Sequence, residues 1–481
     1  MLIRLHIKGF KSLADVEVHF GPFTCVAGAN GSGKSNLFDA IQFLRDLTEY
    51  PIIEAATRVR DPLGKTGDIR ALFTQQQGEH FGIMSFDADF IVSRSVRDDF
   101  NREATPKSTF LNYKLSLKYV EASKGLPERI ELMKEDLSHI TVSDAKSKLS
   151  FTANSTFFKS VINNQRRGIG YISTEPNQGS TIIRLHQDGG SSGRPVQIPA
   201  IGSPKTILGG INTNDYPTVL AARREMQNWA LLQLEPSALR QPDAYSAESR
   251  VSANGAHMPA TLWRLGAQTQ VSNRLATLLD DVKSVRVERD ESRRSYTLVV
   301  TRLDSTEHAA RSLSDGTLRF LALAIIAEDR ESGRLICLEE PENGIHPSRI
   351  QAIIELLKDM AVDINEEVND DNPLRQVIIN SHSPVVLGSL NTDDLVMARL
   401  THSAGSTATT FEYVEDTWRA QIDENRPSVA PGMLMAYLQA DDNQIETLKH
   451  ETQLPLLKRK PKTTREYMNQ LSLDFGENPI K

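Results

Sequence analysis

Eight consecutive residues near the start of the chain have the types and spacing that bind phosphate groups. The pattern is Gly-x-x-x-x-Gly-Lys-Ser, whose glycines let successive backbone N–H groups wrap around phosphate oxygens at a helix N-terminus. Lys34 would add a full positive charge beside the β- and γ-phosphates, and the Ser35 hydroxyl would be a ligand for Mg²⁺. The predicted nucleotide-binding residues are Gly28, Asn30, Gly31, Ser32, Gly33, Lys34 and Ser35.

Two adjacent carboxylates follow an apolar run in the second half of the chain. Leu335–Leu338 predicts a strand buried on both faces, and Glu339 and Glu340 come directly after it. The carboxyl end of such a strand lies at the sheet edge where a phosphate-binding loop also opens. There Glu339 would hold Mg²⁺ through water, and Glu340 would polarise an attacking water molecule. The alternative is a pair of exposed acids that only end a strand.

Ser314 and Gly316 begin a predicted helix shortly before these carboxylates. The N-terminus of a helix has free backbone N–H groups and a partial positive charge, so it suits an anion. Many helices begin with Ser-Asp simply as an N-cap, so this segment alone is a weak signal. Its position ahead of the acidic strand end favours an anion-binding role.

One histidine follows a third apolar strand. His382 comes shortly after Val377–Ile379, within the segment Asn380–Pro384. Its imidazole can hydrogen-bond a γ-phosphate or the attacking water from that place. A lone histidine is more often structural, but its order after the other three segments favours function. Glu340 and His382 are therefore the candidate catalytic residues.

The elements around these segments predict an α/β fold. Residues 1–45 predict three strands, the phosphate-binding loop and a helix from about Ser35 to Leu47. Short alternating stretches between 81 and 133 predict an antiparallel sheet, and the Gly-, Ser-, Asn- and Pro-rich residues 150–260 predict a loop-rich insertion. The remaining predicted elements are helices near 216–232, over 258–281, after Ser314 and over 348–365, and strands at 285–288, 296–300, 335–338 and 377–379.

Four segments are predicted along the chain. They are an N-terminal lobe over 1–145, a loop-rich and helical insertion over 146–257, a C-terminal lobe over 258–430 and a polar tail over 431–481. The tail contains a small basic cluster, Lys458–Lys462. A solvated terminus is the favoured interpretation of this cluster, and a nucleic-acid contact is the alternative.

The composition excludes several classes of protein. Hydrophobic residues make up 39% and charged residues 24% of the 481 residues, as in ordinary globular proteins. No run reaches the roughly 18 apolar residues of a membrane-spanning helix, and the opening residues do not form a signal peptide. Cys25 and Cys337 both lie in apolar runs, so we expect buried, reduced thiols in a cytoplasmic protein. A net charge of −7 gives no sign of a strongly basic surface, although a local basic groove stays open.

The four polar segments resemble, in chain order, the Walker A, signature, Walker B and switch elements of ABC-type ATPases. The opening Ile7–Ser12 looks like the start of the heads of SMC and RecF proteins. A closer resemblance is to the overcoming-lysogenisation-type ATPases, often grouped as AAA-21 domains. The motifs that carry this resemblance are Leu313–Thr317, Glu340–Pro347 and Ser381–Pro384, and it covers roughly residues 1–130 and 260–400.

The resemblance implies a fold, cofactors and a mechanism. The fold would be an ABC/RecF-like P-loop ATPase head with a mixed, mainly parallel core sheet, an antiparallel β subdomain and a helical insertion. Two heads would form a homodimer, or part of a higher homo-oligomer, around two ATP molecules with Mg²⁺. Ser314 and Gly316 of one protomer would close on the γ-phosphate bound by Lys34 of the other. A glutamine would sense Mg²⁺, and Gln75, Gln76 and Gln77 are the candidates.

Three features depart from the wider pattern. The first Walker B acid is Glu339 rather than Asp. No long heptad run is present, so DNA tethering by long coiled-coil arms is not expected. The residues after Leu400 carry no evident acidic nuclease motif, so a built-in nuclease is not expected either.

Two functions fit these features. The first is a bacterial anti-phage defence ATPase, a sensor or regulator of a separate effector that would be a nuclease or a toxin. The second is a RecF-like DNA repair or replication ATPase that binds DNA. A transporter subunit is disfavoured because the opening strand and the signature look unlike those of transporters, and no membrane association is expected.

Overall fold

The computed structural model describes residues 1–60, 68–76, 79–80, 82–123, 125–151, 154–165, 168–177, 180–189, 195–330, 333–403, 406–422 and 427–432. The strands are β1 (Leu2–Phe10), β2 (Leu13–His19), β3 (Phe23–Ala27), β4 (Gln75–Gln76), β5 (Glu79–His80), β6 (Ile83–Ile91), β7 (Val96–Arg97), β8 (Glu103–Ala104), β9 (Phe110–Val120), β10 (Arg129–His139), β11 (Ile172–Asn177), β12 (Ser180–Leu185), β13 (Val196–Pro199), β14 (Trp229–Leu232), β15 (Asp243–Ala244), β16 (Val282–Asp290), β17 (Ser295–Arg302), β18 (Glu307–Ala309), β19 (Leu335–Glu339), β20 (Gln376–Ser381), β21 (Leu395–Ser403), β22 (Ser406–Val414) and β23 (Ser428–Val429).

The α-helices are α1 (Lys34–Asp46), α2 (Ile52–Arg58), α3 (Val142–Lys148), α4 (Ser155–Val161), α5 (Ile207–Gly210), α6 (Pro217–Gln227), α7 (Pro236–Leu239), α8 (Met258–Leu265), α9 (Gln268–Leu278), α10 (Asp315–Glu328), α11 (Ile350–Asp359) and α12 (Pro384–Gly388). Short 3₁₀ turns lie at Ile69–Leu72, Ala310–Ser312, Pro347–Arg349 and Thr392–Asp394.

The core of the molecule is a mixed sheet with the strand order β14-β19-β20-β3-β21-β22-β23. Neighbouring strands from β14 to β21 run parallel, and β22 runs antiparallel to β21. Side chains of β3 alternate between two hydrophobic clusters: Val26 enters one, and Cys25 and Ala27 enter the other. Because both faces are buried, the central strands read as continuous apolar runs. Cys25 and Cys337 are free and buried, as expected.

A second, antiparallel sheet covers one face of the core. Its described strands have the order β13-β12-β11-β10-β9-β6-β1-β2, so the predicted antiparallel subdomain is confirmed. Phe10 on β1 and Phe86 on β6 contact Phe43 on α1, with ring centroids 5.9 and 5.8 Å from that of Phe43. The helix after the phosphate-binding loop is thus packed against this sheet.

A small sheet, β15-β17-β16 with β18 paired to β17, lies with α8 to α11 on the other side of the core. The single helix predicted over 258–281 is two helices, because Gly266 ends α8 in a left-handed conformation (φ 62°). The helix predicted over 216–232 stops at Gln227. Trp229–Leu232 instead pairs with β19 as an edge strand of the core sheet.

Residues 146–257 contribute to both large sheets. Strands β11 to β13 extend the antiparallel sheet, and β14 joins the core sheet. The boundaries at 145 and 257 therefore remain a proposed division of the chain. Residues 433–481, with the basic cluster Lys458–Lys462, lie outside the described residues. Among the helices that are described, none has both the length and the apolar character needed to span a membrane.

Candidate nucleotide site

The register of the core sheet brings the predicted site residues to one edge. Glu339 on β19 pairs with Asn380 on β20, and Ser381 pairs with Ala27 on β3. The residues that follow each strand, Glu340, His382 and Gly28, consequently leave the sheet side by side. This adjacency is the geometry predicted from the strand before the phosphate-binding loop and from the apolar runs 335–338 and 377–379.

Gly33 shapes the turn from the loop into α1. It is the residue before the helix and has a left-handed backbone with φ 88°. A Cβ built on Gly33 would lie 1.9 Å from Thr409 Oγ1 on β22. A side chain at Gly33 is therefore excluded both by the backbone conformation and by contact with Thr409.

Thr409 belongs to a small hydrogen-bond network that packs against the phosphate-binding loop. Ser12 Oγ lies 2.7 Å from Thr409 Oγ1, and Asn36 Nδ2 on α1 donates to Ser12 Oγ at 2.7 Å. Beside it, Lys11 Nζ contacts the buried Asp39 carboxylate of α1 at 2.8 Å. The opening motif Ile7–Ser12 thus has a structural role, since its last two side chains hold the helix that begins at Lys34.

Lys34 is folded over the loop that precedes it. Its ammonium donates to the carbonyl oxygens of Gly28 at 2.7 Å and Ala29 at 2.8 Å. Burial lowers the pKa of Lys34, and the negative charge of Glu340 opposes that shift. The cation is therefore already positioned at the mouth of the loop.

Glu340 is held by three separate contacts. Its backbone is left-handed (φ 43°), a strained conformation for a residue with a side chain. Asn380 Oδ1 accepts from Glu340 N–H at 3.0 Å, which fixes this backbone. Glu340 Oε1 lies 2.9 Å from His382 Nδ1, and Asn343 Nδ2 donates to Oε2 at 2.7 Å. The structure therefore joins the two candidate catalytic residues in one pair.

The far end of α1 is anchored through a buried carboxylate. Glu135 on β10 accepts from the backbone N–H groups of Ile207 at 2.6 Å and Leu208 at 2.8 Å, at the start of α5. The same segment closes on the end of α1, where Thr206 Oγ1 donates to Leu47 O at 3.2 Å. Burial raises the pKa of Glu135 to about 7, against the effect of its hydrogen bonds.

A cleft of about 590 Å³ opens at this edge of the core sheet. Three buried atoms of the lining residues have no hydrogen-bond partner among the described residues: Ser32 Oγ, Arg319 Nε and Glu339 Oε1. Orphaned polar atoms of this kind call for a ligand or water. The Glu339 carboxylate and the Ser35 hydroxyl, which both line this cleft, are ligands that fit hydrated Mg²⁺, and the N–H groups of the loop fit phosphate. The lining residues are Asn30, Gly31, Ser32, Gly33, Lys34, Ser35, Asn36, Arg60, Gln233, Leu234, Glu235, Arg319, Glu339, Glu340, Asn343 and Asn380.

The signature residues lie apart from this lining. Ser314 is exposed and caps α10, accepting from Thr317 N–H at 3.2 Å. Gly316 packs closely on the segment after Glu340, because a Cβ there would lie 3.2 Å from Gly344 O. Arg240 binds the Asp315 carboxylate at the first turn of the helix. Ser314 and Gly316 are thus placed at a helix start as predicted, but not among the residues that line the cleft of their own chain.

The predicted glutamine sensor stays a prediction. Gln75 is exposed and lies with Gln76 in the short strand β4, whereas Gln77 lies outside the described residues. Sequence reasoning also passed over Asn343, Asn380 and Arg319, all of which line the cleft. The signal for Asn380 was available: it is an amide directly after the apolar run Val377–Ile379. Arg319 carried no signal, since it looks like any polar position of a helix.

Two family models match the chain, one in each half of the site. A model described as "AAA domain" (AAA_23) matches residues 4–159, which contain the loop that ends at Lys34. A model described as "AAA domain, putative AbiEii toxin, Type IV TA system" (AAA_21) matches residues 215–388, which contain Ser314, Glu340 and His382.

Short segments are also similar to curated proteins. A 71-residue segment is 44% identical to the chromosome partition protein Smc of Clostridium kluyveri, and covers 12% of this chain and 6% of that protein. A 41-residue segment is 51% identical to the DNA replication and repair protein RecF of Porphyromonas gingivalis, and covers 8% and 11%. A 60-residue segment is 42% identical to RecF of Anaeromyxobacter dehalogenans, and covers 12% and 16%. The two family models and these segments together support an SMC/RecF-like ABC ATPase head.

Each match to a curated relative is confined to a small part of that relative. Two solved SMC heads are similar at low identity. The head bound to the C-winged helix domain of ScpA has 13% identity and a TM-score of 0.47, and covers 86% of this chain and 98% of that one. The head from Thermotoga maritima has 12% identity and a TM-score of 0.39, and covers 86% and 99%.

Proposed function

We propose that this head binds ATP with Mg²⁺ and hydrolyses it when two protomers meet. The observation that carries the proposal is the placement of Glu340 in the cleft beside Lys34, with His382 bonded to its carboxylate. A carboxylate oriented in this way can accept the proton of an attacking water molecule. Lys34 and the loop N–H groups would bind the phosphates in the same cleft.

The remaining residues would divide the work around the phosphates. Ser35 and Glu339 would hold Mg²⁺, and when bound this ion would neutralise charge on the β- and γ-phosphates. His382 would keep the Glu340 carboxylate in place by donating from Nδ1, and Nε2 of the neutral ring would then accept a hydrogen bond from the attacking water. Asn380 would help to orient the Glu340 carboxylate, because its side chain accepts a hydrogen bond from the backbone N–H of Glu340.

A second protomer would complete the site. Ser314 is exposed at the start of α10 and does not line the cleft of its own chain. A helix N-terminus that offers N–H groups to solvent is suited to an anion held elsewhere. We therefore infer a homodimer in which each signature closes on the nucleotide of the other protomer. A single protomer is expected to be a slow ATPase.

The deciding experiment is Glu340→Gln. The substitution keeps the shape of the side chain and removes the charge that accepts a proton, so hydrolysis should fall by at least about 100-fold. ATP binding should persist, and the ATP-bound dimer should accumulate in size-exclusion chromatography with light scattering. Lys34→Ala is the matched control, because it should lose nucleotide binding and dimer formation together. Hydrolysis by Glu340→Gln at the rate of the parent protein would rule out Glu340 as the base.

For the role in the cell, we infer a regulator of a separate effector, a nuclease or toxin, in bacterial anti-phage defence. The AAA_21 model, whose description includes a putative toxin, supports this assignment. Purification of Glu340→Gln with ATP from the native host, followed by mass spectrometry, should recover a stoichiometric protein partner.

A second candidate is a DNA repair or replication ATPase. It is favoured by the matched segments of RecF from two bacteria. Recovery of DNA without a protein partner in the same purification would support this candidate over the first.

A further inference from the structure

Arg319 is an arginine of the signature helix that faces the cleft of its own chain. It lies in α10, one turn after Asp315, and is half-buried. It lines the same cleft as Lys34 and Glu340. Its Nε is buried and has no hydrogen-bond acceptor among the residues that the structure describes. The signature helix therefore places the guanidinium of Arg319 in the cleft of its own chain, whereas its N-cap Ser314 is exposed.

Among the residues that the structure describes, this cation has no ion-pair partner. Asp315, the acid that acts on it electrostatically, is already bound by Arg240. Burial lowers the pKa of Arg319, as expected for a guanidinium removed from water. A buried donor without an acceptor is costly, and a ligand that supplies the acceptor would remove that cost.

The cleft holds a second orphan of the opposite kind. Glu339 Oε1 is a buried acceptor without a donor, and it lines the same space. A ligand that presents both anionic oxygens and metal-bound water would satisfy the guanidinium and the carboxylate together. Nucleoside triphosphate with Mg²⁺ has this chemistry.

We propose that Arg319 binds an anionic oxygen of the nucleotide held by Lys34 of the same protomer. This inference rests on the proposed function and adds a contact to it. Helix α10 then touches two nucleotides: Arg319 contacts the one in its own cleft, and Ser314 contacts the one in the partner protomer. Nucleotide binding at one site would then be coupled to nucleotide binding at the other through a single helix of 14 residues.

The test must separate binding within one protomer from binding across the dimer. Ser314→Arg puts a bulky cation at the exposed signature and should keep protomers apart, as light scattering would verify. In this background, isothermal titration calorimetry with Mg·ATP compares Arg319→Met, Arg319→Lys and Arg311→Met. Methionine keeps the packing of the arginine stem. Arg311 is the matched control, since it is an exposed arginine just before the same helix and does not line the cleft.

The expected result is a graded loss in the monomer. Arg319→Met should raise the Kd for ATP about ten-fold, the effect of one lost charge-assisted hydrogen bond. Arg319→Lys should raise it about three-fold, because it keeps the charge but loses the planar guanidinium. Arg311→Met should leave it within about two-fold, as for an exposed, screened charge.

Unchanged affinity in Arg319→Met, or an equal loss in Arg311→Met, would overturn the proposal. Should Arg319→Met not fold, Arg319→Lys decides alone, and parental affinity in that variant overturns it. Failure of the proposed function looks different: the Ser314→Arg parent would then bind no ATP, or would bind it as tightly after Lys34→Ala.

Discussion

The helix after the P-loop and the helix after the signature have similar lengths, 13 and 14 residues, yet they are held in different ways. Helix α1 is fixed at both ends: Gly33 sits against Thr409, and the far end is tied to Glu135 through α5. Helix α10 is buried from Phe320 to Ile326, but its N-cap residue, Ser314, is exposed.

The difference separates what one chain can complete from what it cannot. The phosphate-binding loop has its walls, its cation and its helix within a single chain, so it should bind nucleotide as a monomer. The signature has a capped helix start and no ligand position in the described cleft of its own chain. Under the proposed function its chemistry would depend on a second molecule, and hydrolysis would then be controlled at the dimer interface.

The largest expected effect comes from adding a side chain at Gly33, where Thr409 leaves no space for a Cβ. Gly33→Ala forces a Cβ against Thr409 in a left-handed backbone, so unfolding should cost about 4 kcal/mol less and ATP binding should be lost. Gly31→Ala is the matched control: its φ is also positive, at 80°, but no atom of the described residues lies within 4 Å of its Cβ. It should lose only about 1–2 kcal/mol in urea denaturation. Equal losses of stability in the two variants would show that contact with Thr409 does not exclude a side chain at Gly33.

A smaller effect should follow from the anchor at the other end of α1. The pKa of Glu135 is raised to about 7 in the folded protein, so the folded state holds this proton more tightly than the unfolded state. Its contribution to stability is full below the ordinary pKa of a glutamate and is lost as pH rises through about 7. The free energy of unfolding of the parent should therefore fall relative to Glu135→Gln by up to roughly 3 kcal/mol between about pH 4 and pH 8.

Urea denaturation at several pH values measures this difference directly. His139→Gln is a useful comparison, since it changes another titratable residue on β10. A difference between parent and Glu135→Gln that does not vary with pH would mean that Glu135 keeps one protonation state throughout, and the anchor would not be pH-dependent.

The smallest effect on folding is expected at the signature. Ser314→Ala removes an N-cap and should lower stability by about 1 kcal/mol, with ATP binding by the monomer unchanged. Its effect should appear instead in assembly, as a lower yield of ATP-bound dimer when Glu340→Gln is also present. Light scattering measures the dimer, and a normal yield would contradict the role of Ser314 across the interface.

Much of this site could be predicted because its signals are local. The glycines, Lys34 and the paired carboxylates each sit directly after an apolar run, and parallel strands deliver such residues to one edge. The opening segment was predicted only as a resemblance. The contacts of Lys11 with Asp39 and of Ser12 with Thr409 show what it does.

Other features depend on contacts that no local pattern records. Thr409 reaches Gly33 only because β22 follows β21 in the core sheet, and Asn380 acquires its role only because its strand lies beside β19. The apolar run Trp229–Leu232 was predicted as helix, since a short apolar run has no period that separates the two structures. Its pairing with β19 decided the outcome.

The position of β3 in the core sheet has a consequence for synthesis. Its neighbours on either side are β20 and β21, so roughly 350 residues must be translated after β3 before it can pair with either. At about 5–20 residues per second, the ribosome needs roughly 20–70 s for that length of chain. The phosphate-binding loop is thus translated well before the strands that flank β3. We expect a nascent chain to acquire nucleotide only after β20 and β21 have been translated, so nucleotide binding would mark a completed core sheet.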